Sequence, residues 1–137
     1  MILKNILILC LLSFVSDMRC ADHDIVMQTT NLPSEIVQAL KTGDAKMISK
    51  YFNSSVELNF SESQGVYGKA QAEQILKDFF SKNASTKGTF EYKHLHTTPR
   101  DNAQYYIGEL ITGKGTYRLH IFMKDQRIHQ MRIDSND

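Results

Sequence analysis

Beyond residue 20 the chain has no cysteine, for Cys10 and Cys20 are the two among its 137 residues. Removal of a leader holding both leaves a domain with no disulfide, no cysteine nucleophile and no thiolate metal site. The remaining residues, about 115, can build a sufficient core without a disulfide. An excess of one charge sign is also missing. Sixteen Lys and Arg face fifteen Asp and Glu, and a leader ending at Ala21 takes away Lys4, Arg19 and Asp17, leaving fourteen of each. A neutral domain without a basic run does not read as a binder of nucleic acid or of an anionic membrane surface. There is no internal repeat and no low-complexity tract, and the length suits one domain.

What is present begins with an export signal over residues 1–21. Lys4 supplies the positive start, and Ile6 to Val15 is an apolar run broken only by Ser13. A run of about ten residues is too short to span a bilayer and right for a signal peptide. Asp17, Met18 and Arg19 offer no small-residue cleavage pattern and are the wrong residues before a lipidated Cys20. Residues 22–32 read as a polar tether, 33–134 as the domain and 135–137 as a tail. No membrane contact is expected after cleavage of the signal.

Pro33, Ser34 and Glu35 start a first helix with Ile36, Val37 and Leu40 facing inward, and Gly43 stops it. Asp44 caps a second short helix. Ser55 to Phe60 alternates as a strand, and Gly65 to Gly68 reads as an extended link. In the helix that follows, Lys69 to Ser81, positions Ala72, Ile75, Leu76, Phe79 and Phe80 form one wide apolar face. This helix is expected to lie on the apolar side of a sheet.

That sheet is read from Phe90 to Asp134. Tyr105 to Thr112 and Thr116 to Lys124 flank Gly113-Lys114-Gly115, a hairpin turn. Pairing Thr112 with Gly115 sets Leu110 opposite Tyr117, Gly108 opposite Leu119 and Tyr106 opposite Ile121, all on one apolar face. The other face then carries Tyr105, Ile107, Glu109 and Ile111 opposite Phe122, His120, Arg118 and Thr116. Glu109 across from Arg118 is an opposite-charge pair. A second reversal at Lys124 to Arg127 leads into Ile128 to Asp134. The strand from Thr89 to Thr98 is ambiguous, since Phe90 and Tyr92 favour one face as core and Leu95 the other. The expected fold class is α+β, a curved antiparallel sheet wrapped around a long helix, with two short N-terminal helices.

Several short patterns carry a family likeness. They are Tyr51-Phe52-Asn53, Gly65-x-x-Gly68 leading to Ile75, and Asp125-Gln126-Arg127-Ile128. With the element order, these resemble the nuclear-transport-factor-2-like superfamily. Tyr106-Ile107-Gly108, Gly115-x-Tyr117-Arg118 and Ile128-x-x-Met131-Arg132-Ile133 are similar to a family of short exported bacterial proteins of unknown function. The resemblance covers residues 32–134. It implies a cone-shaped α+β fold, a periplasmic or cell-surface location and often a dimer, with no established activity.

The superfamily includes isomerases and dehydratases that set a carboxylate base beside a tyrosine in an apolar cavity. Here Glu109 falls on the outer face and Glu57, between Val56 and Leu58, faces away. Glu91 and Asp134 have no nameable partner. No catalytic residue, cofactor or metal is assigned. His94 and His96 stand two apart on one strand, as in β-strand zinc sites, but His94 and His120 lie two strands apart, roughly 9–10 Å. Solvated or interface histidines are the plainer reading, with His129 in an uncertain register. Asn53-Ser54-Ser55 and Asn83-Ala84-Ser85 match glycosylation acceptors.

Two binding surfaces are expected. Tyr67, Tyr92, Tyr106 and Tyr117 near the rim of the cone suit a small apolar ligand, against the plainer reading that they fill the core. The outer face of Tyr105, Ile107, Glu109, Arg118, His120 and Phe122 suits a second copy or a partner protein. The functional expectation is an exported non-enzymatic binding module, the alternative a small cofactor-free isomerase or dehydratase using the cavity.

Overall fold

Pro33 precedes helix α1, Ser34–Thr42, and Gly43 ends it in the left-handed region at φ 67°. Its backbone N–H reaches back to the Leu40 carbonyl at 3.4 Å. Asp44 then caps α2, Ala45–Ser49, accepting from the Met47 N–H at 2.9 Å. Strand β1 is Phe52–Phe60 and β2 is Ser63–Gly68. Helix α3, Lys69–Asn83, precedes β3, Glu91–Arg100, β4, Ala103–Thr112, β5, Gly115–Lys124, and β6, Arg127–Ser135. The computed structural model describes residues 31–136; the expected signal peptide and most of the tether lie outside them.

The β4–β5 register is the one read from the turn, from Thr112 opposite Gly115 to Tyr106 opposite Ile121. Tyr106, Leu110, Leu119 and Ile121 are buried as expected, and Arg118 Nη2 lies 3.7 Å from Glu109 Oε1. Gly113 has a steric reason to be glycine. A Cβ there would lie 2.6 Å from the Ser85 Cα, because the turn docks on the end of α3, where the Gly113 N–H bonds the Asn83 carbonyl at 3.0 Å.

The sheet departs from expectation in three ways. It is mixed, not wholly antiparallel: the order is β2-β1-β6-β5-β4-β3, and β1 runs parallel to β6. It is open, with β2 and β3 as edges, and neither closes nor curves around the long helix. Side-chain alternation tells which residues share a face, but not which distant strand lies alongside. Short turns force antiparallel pairing from β3 to β6, whereas β1 is separated from β6 by a helix and four strands and can run either way. Residues 63–68 are an edge strand rather than a link, pairing Val56 with Tyr67. Glycine and glutamine there mask it, since both lack the branched side chains typical of strands.

Helix α3 packs on α2, β1 and β2. Ala72, Leu76 and Phe80 are buried, with Ile75 and Phe79 half-buried beside them. They share one core with Ile36, Leu40, Ile48, Leu58 and Met131, so the described helices meet the sheet through a single apolar layer. Leu76→Ala, at a fully buried position, is expected to lower unfolding free energy by about 2–5 kcal/mol in urea titration. A loss under about 1 kcal/mol would show that α3 does not seal this core.

Candidate functional site

The four tyrosines do not form one rim. Tyr92 and Tyr117 stand on the same rung of the inner face, separated by Leu110. Tyr106 is buried two rungs along, its hydroxyl donating to Gln104. Tyr67, on the edge strand β2, is half-buried against the core.

Between Tyr106 and Leu110, Gly108 leaves a hollow in the inner face. The Tyr92 ring occupies it, 2.4 Å from where a Cβ on Gly108 would lie. His94 pairs with Gly108, and its Nδ1 is 3.2 Å from the Tyr92 hydroxyl while Nε2 is 3.0 Å from Thr97 Oγ1. The His94 and Tyr106 rings meet edge to face, with centroids 6.4 Å apart. Burial, followed by Tyr106, pushes the Tyr92 phenol up to about 12.

His94 is thus on the inner face with Tyr92, which resolves the ambiguity of this strand in favour of the Phe90 and Tyr92 side. A bulge between His94 and His96 follows, for His96 pairs with Ile107 on the outer face. The two histidines do not share a strand face, and His94 and His120 lie on opposite sides of the sheet. A bulge leaves little trace in an alternating sequence. The available signal was Gly108 itself, a missing side chain in the middle of a strand.

A second opening lies between α3 and the sheet. It is a cleft of about 330 Å³ bounded by the β1–β2 turn, the last turns of α3 and the β4–β5 turn. Phe60, Phe79 and Tyr117 line it, with Phe79 centroids 5.6 Å from Phe60 and 5.3 Å from Tyr117. The Tyr117 hydroxyl donates to Asn83 Oδ1 at 2.8 Å, and Asn83 Nδ2 donates to the Phe79 carbonyl at 2.8 Å. Asn83 is therefore a buried helix-end contact. Lys82 and Glu62 bridge across the rim at 2.6 Å. Of the four tyrosines, only Tyr117 reaches this cleft.

None of the carboxylates weighed as bases faces the helices. Glu57 is exposed between buried Val56 and Leu58. Glu91 pairs with Ile111, Glu109 with Arg118 and Asp134 with Arg118, all on the outer face. Tyr105, Ile107, Glu109, Arg118, His120 and Phe122 do share that face, each half-buried. The Tyr105 hydroxyl is 3.1 Å from His120 Nδ1, and Asp134 holds Arg132 at 2.7 Å. Burial lowers the His120 pKa, with Asp134 opposing and Arg132 and Arg118 assisting.

Residues 33–134 match DUF4783, a domain of unknown function. The chain belongs to that family. A DUF4783 protein from Bacteroides ovatus ATCC 8483 is 29% identical with a TM-score of 0.69, covering 79% of this chain and 98% of its own. One from Bacteroides uniformis ATCC 8492 is 29% identical with a TM-score of 0.68, over 78% and 99%. An NTF2-like protein of unknown function from Cytophaga hutchinsonii shares the fold at 15% identity and a TM-score of 0.52, over 75% and 85%. No curated protein matches the chain. This DUF4783 domain thus shares the fold of an NTF2-like protein, as its short patterns suggested.

Because folding holds Tyr92 protonated, its contribution to stability is whole below pH 10.0, the ordinary tyrosine value, and is lost as pH rises toward about 12. Alkaline unfolding titrations are expected to show this loss in the native protein and not in Tyr92→Phe. Gly108→Ala, which drives a methyl into the Tyr92 ring, is expected to cost about 1–3 kcal/mol. Equal stability of Gly108→Ala and the native protein in urea would mean the hollow is not filled as described.

Proposed function

We propose that this DUF4783 domain is an exported, non-enzymatic module that takes a small, largely apolar ligand between α3 and the sheet. The cleft carries the reading. At about 330 Å³ it falls at the lower end of the range of small-molecule sites, roughly 300–1,000 Å³. Its aromatic floor of Phe60, Phe79 and Tyr117 gives contact area, and the bonded Tyr117–Asn83 pair gives a polar handle. The charged rim of Glu62, Asp78, Lys82 and Lys114 balances in sign, which favours a neutral or zwitterionic ligand over a strong anion. Export rests on the leader pattern of Lys4 and the apolar run to Val15, with a periplasmic or cell-surface destination.

The alternative, a cofactor-free isomerase or dehydratase, has one observation in its favour: His94 is flanked by the hydroxyls of Tyr92 and Thr97 on the inner face. Against it, the sheet carboxylates considered for that chemistry, Glu57, Glu91, Glu109 and Asp134, all point away from His94 and the helices.

N-phenyl-1-naphthylamine, a neutral apolar probe, is expected to bind the native protein with enhanced emission. Ile75→Trp, which fills the cleft from α3, should abolish that emission while circular dichroism stays native. Ile111→Ser, on the opposite face of the sheet, should leave it. Unchanged emission in Ile75→Trp would remove the cleft as the binding site.

A further inference from the structure

The four charges on the rim of the cleft are not equally engaged. Lys82 Nζ donates to Glu62 Oε2 at 2.6 Å, tying the last turns of α3 to the β1–β2 turn. Asp78, one turn earlier on the helix, accepts from the Gln74 side chain at 3.0 Å. Lys114, in the β4–β5 turn, has no ion-pair partner among the described residues. Its backbone is fixed all the same. The Gly113 N–H bonds the Asn83 carbonyl at 3.0 Å, the Lys114 N–H bonds Thr112 Oγ1 at 3.1 Å, and Thr112 Oγ1 donates to the Gly115 carbonyl at 2.9 Å. The turn therefore holds a cation at the mouth whose charge only solvent answers.

Glu62 is the carboxylate on which that cation acts. The hydrogen bond from Lys82 draws the Glu62 carboxyl below its usual range, and Lys114 adds to this from beyond ion-pair distance. Lys82 occupies Oε2 and leaves Oε1 without a described partner. Between Glu62 Oε1 and Lys114 Nζ the rim is thus open and of opposite sign on its two sides.

A group that carries both signs suits such a gap, with an ammonium beside Glu62 and a carboxylate beside Lys114. An amino acid bears the two on one carbon and adds no net charge to a rim already balanced. Its side chain hangs from the same carbon and reaches the floor of Phe60, Phe79 and Tyr117, where an aromatic or large aliphatic group gains contact. A volume of about 330 Å³, at the small end of ligand sites, suits one amino acid rather than a chain of several. We propose that the cleft binds a free amino acid with an aromatic or large aliphatic side chain, its charged head set between Glu62 and Lys114. This rests on the reading of the cleft as a ligand site and adds the chemical class of the ligand and the two residues that select it.

Displacement of N-phenyl-1-naphthylamine from the protein produced from the full chain tests it. L-phenylalanine is expected to displace the probe at about millimolar concentration. Phenylpropionate, which lacks the ammonium, and phenethylamine, which lacks the carboxylate, should each need roughly fivefold more, because the selecting charges are exposed. Lys114→Met and Glu62→Gln should each bind the neutral probe as the native protein does and weaken displacement by phenylalanine roughly fivefold. Circular dichroism of both variants checks that the fold is retained. Probe binding that persists in about 10 mM phenylalanine overturns the inference and leaves the cleft standing as an apolar site. Equal displacement by all three competitors also overturns it, since the ring alone is then recognised. A native protein that binds no probe removes the cleft as a ligand site and this inference with it.

Discussion

The pairing of β4 with β5 is the constraint on which the rest depends. Its ten rungs from Ala103–Lys124 to Thr112–Gly115 decide which side chains face the helices. A slip of one residue would send Leu110 and Tyr106 into water and bring Glu109 and Arg118 against α3. The apolar core, the Gly108 hollow and the Glu109–Arg118 pair are three readings of the same register. The turn that sets it is held twice, by its own geometry and by the seat of Gly113 on Ser85 at the end of α3.

Local chemistry was the legible part. Gly43 and Asp44 announced a helix stop and a helix cap because each acts within a few residues of itself. The apolar face of α3 was visible in its spacing, although the helix runs two residues past Ser81 to Asn83. Lys124-Asp125-Gln126-Arg127 did turn where expected, with Asp125 and Gln126 both at positive φ. The parallel β1–β6 pair was not legible, because nothing in either strand names its neighbour. Nor was the edge strand β2, whose Gly65 and Gly68 contribute little of the packing that marks a strand.

The candidate site was legible in part for a related reason. Tyr117 lines the cleft, but its companions there, Phe60 at the end of β1 and Phe79 and Asn83 in the last turns of α3, come from two other places in the chain. Seen one at a time, the phenylalanines read as core and Asn83 as a glycosylation acceptor. Tyr92 and Tyr106 do share a face, yet the group that joins them is His94, which simple alternation from Leu95 assigns to the wrong side. One inserted residue at Leu95 separates a zinc-like His94/His96 spacing from a histidine held between two hydroxyls.

That inserted residue bears on how the sheet ends. β3 is an edge, and an edge strand with regular spacing offers its unpaired backbone groups to any passing chain. The kink at Leu95 breaks that spacing midway, and Pro99 removes a donor near the far end. On the opposite edge β2 has six residues, two of them glycine. Neither rim is a good template for adding strands, so the sheet cannot easily grow sideways into a fibre. The device that turns His94 inward also protects a cysteine-free domain from its own edges.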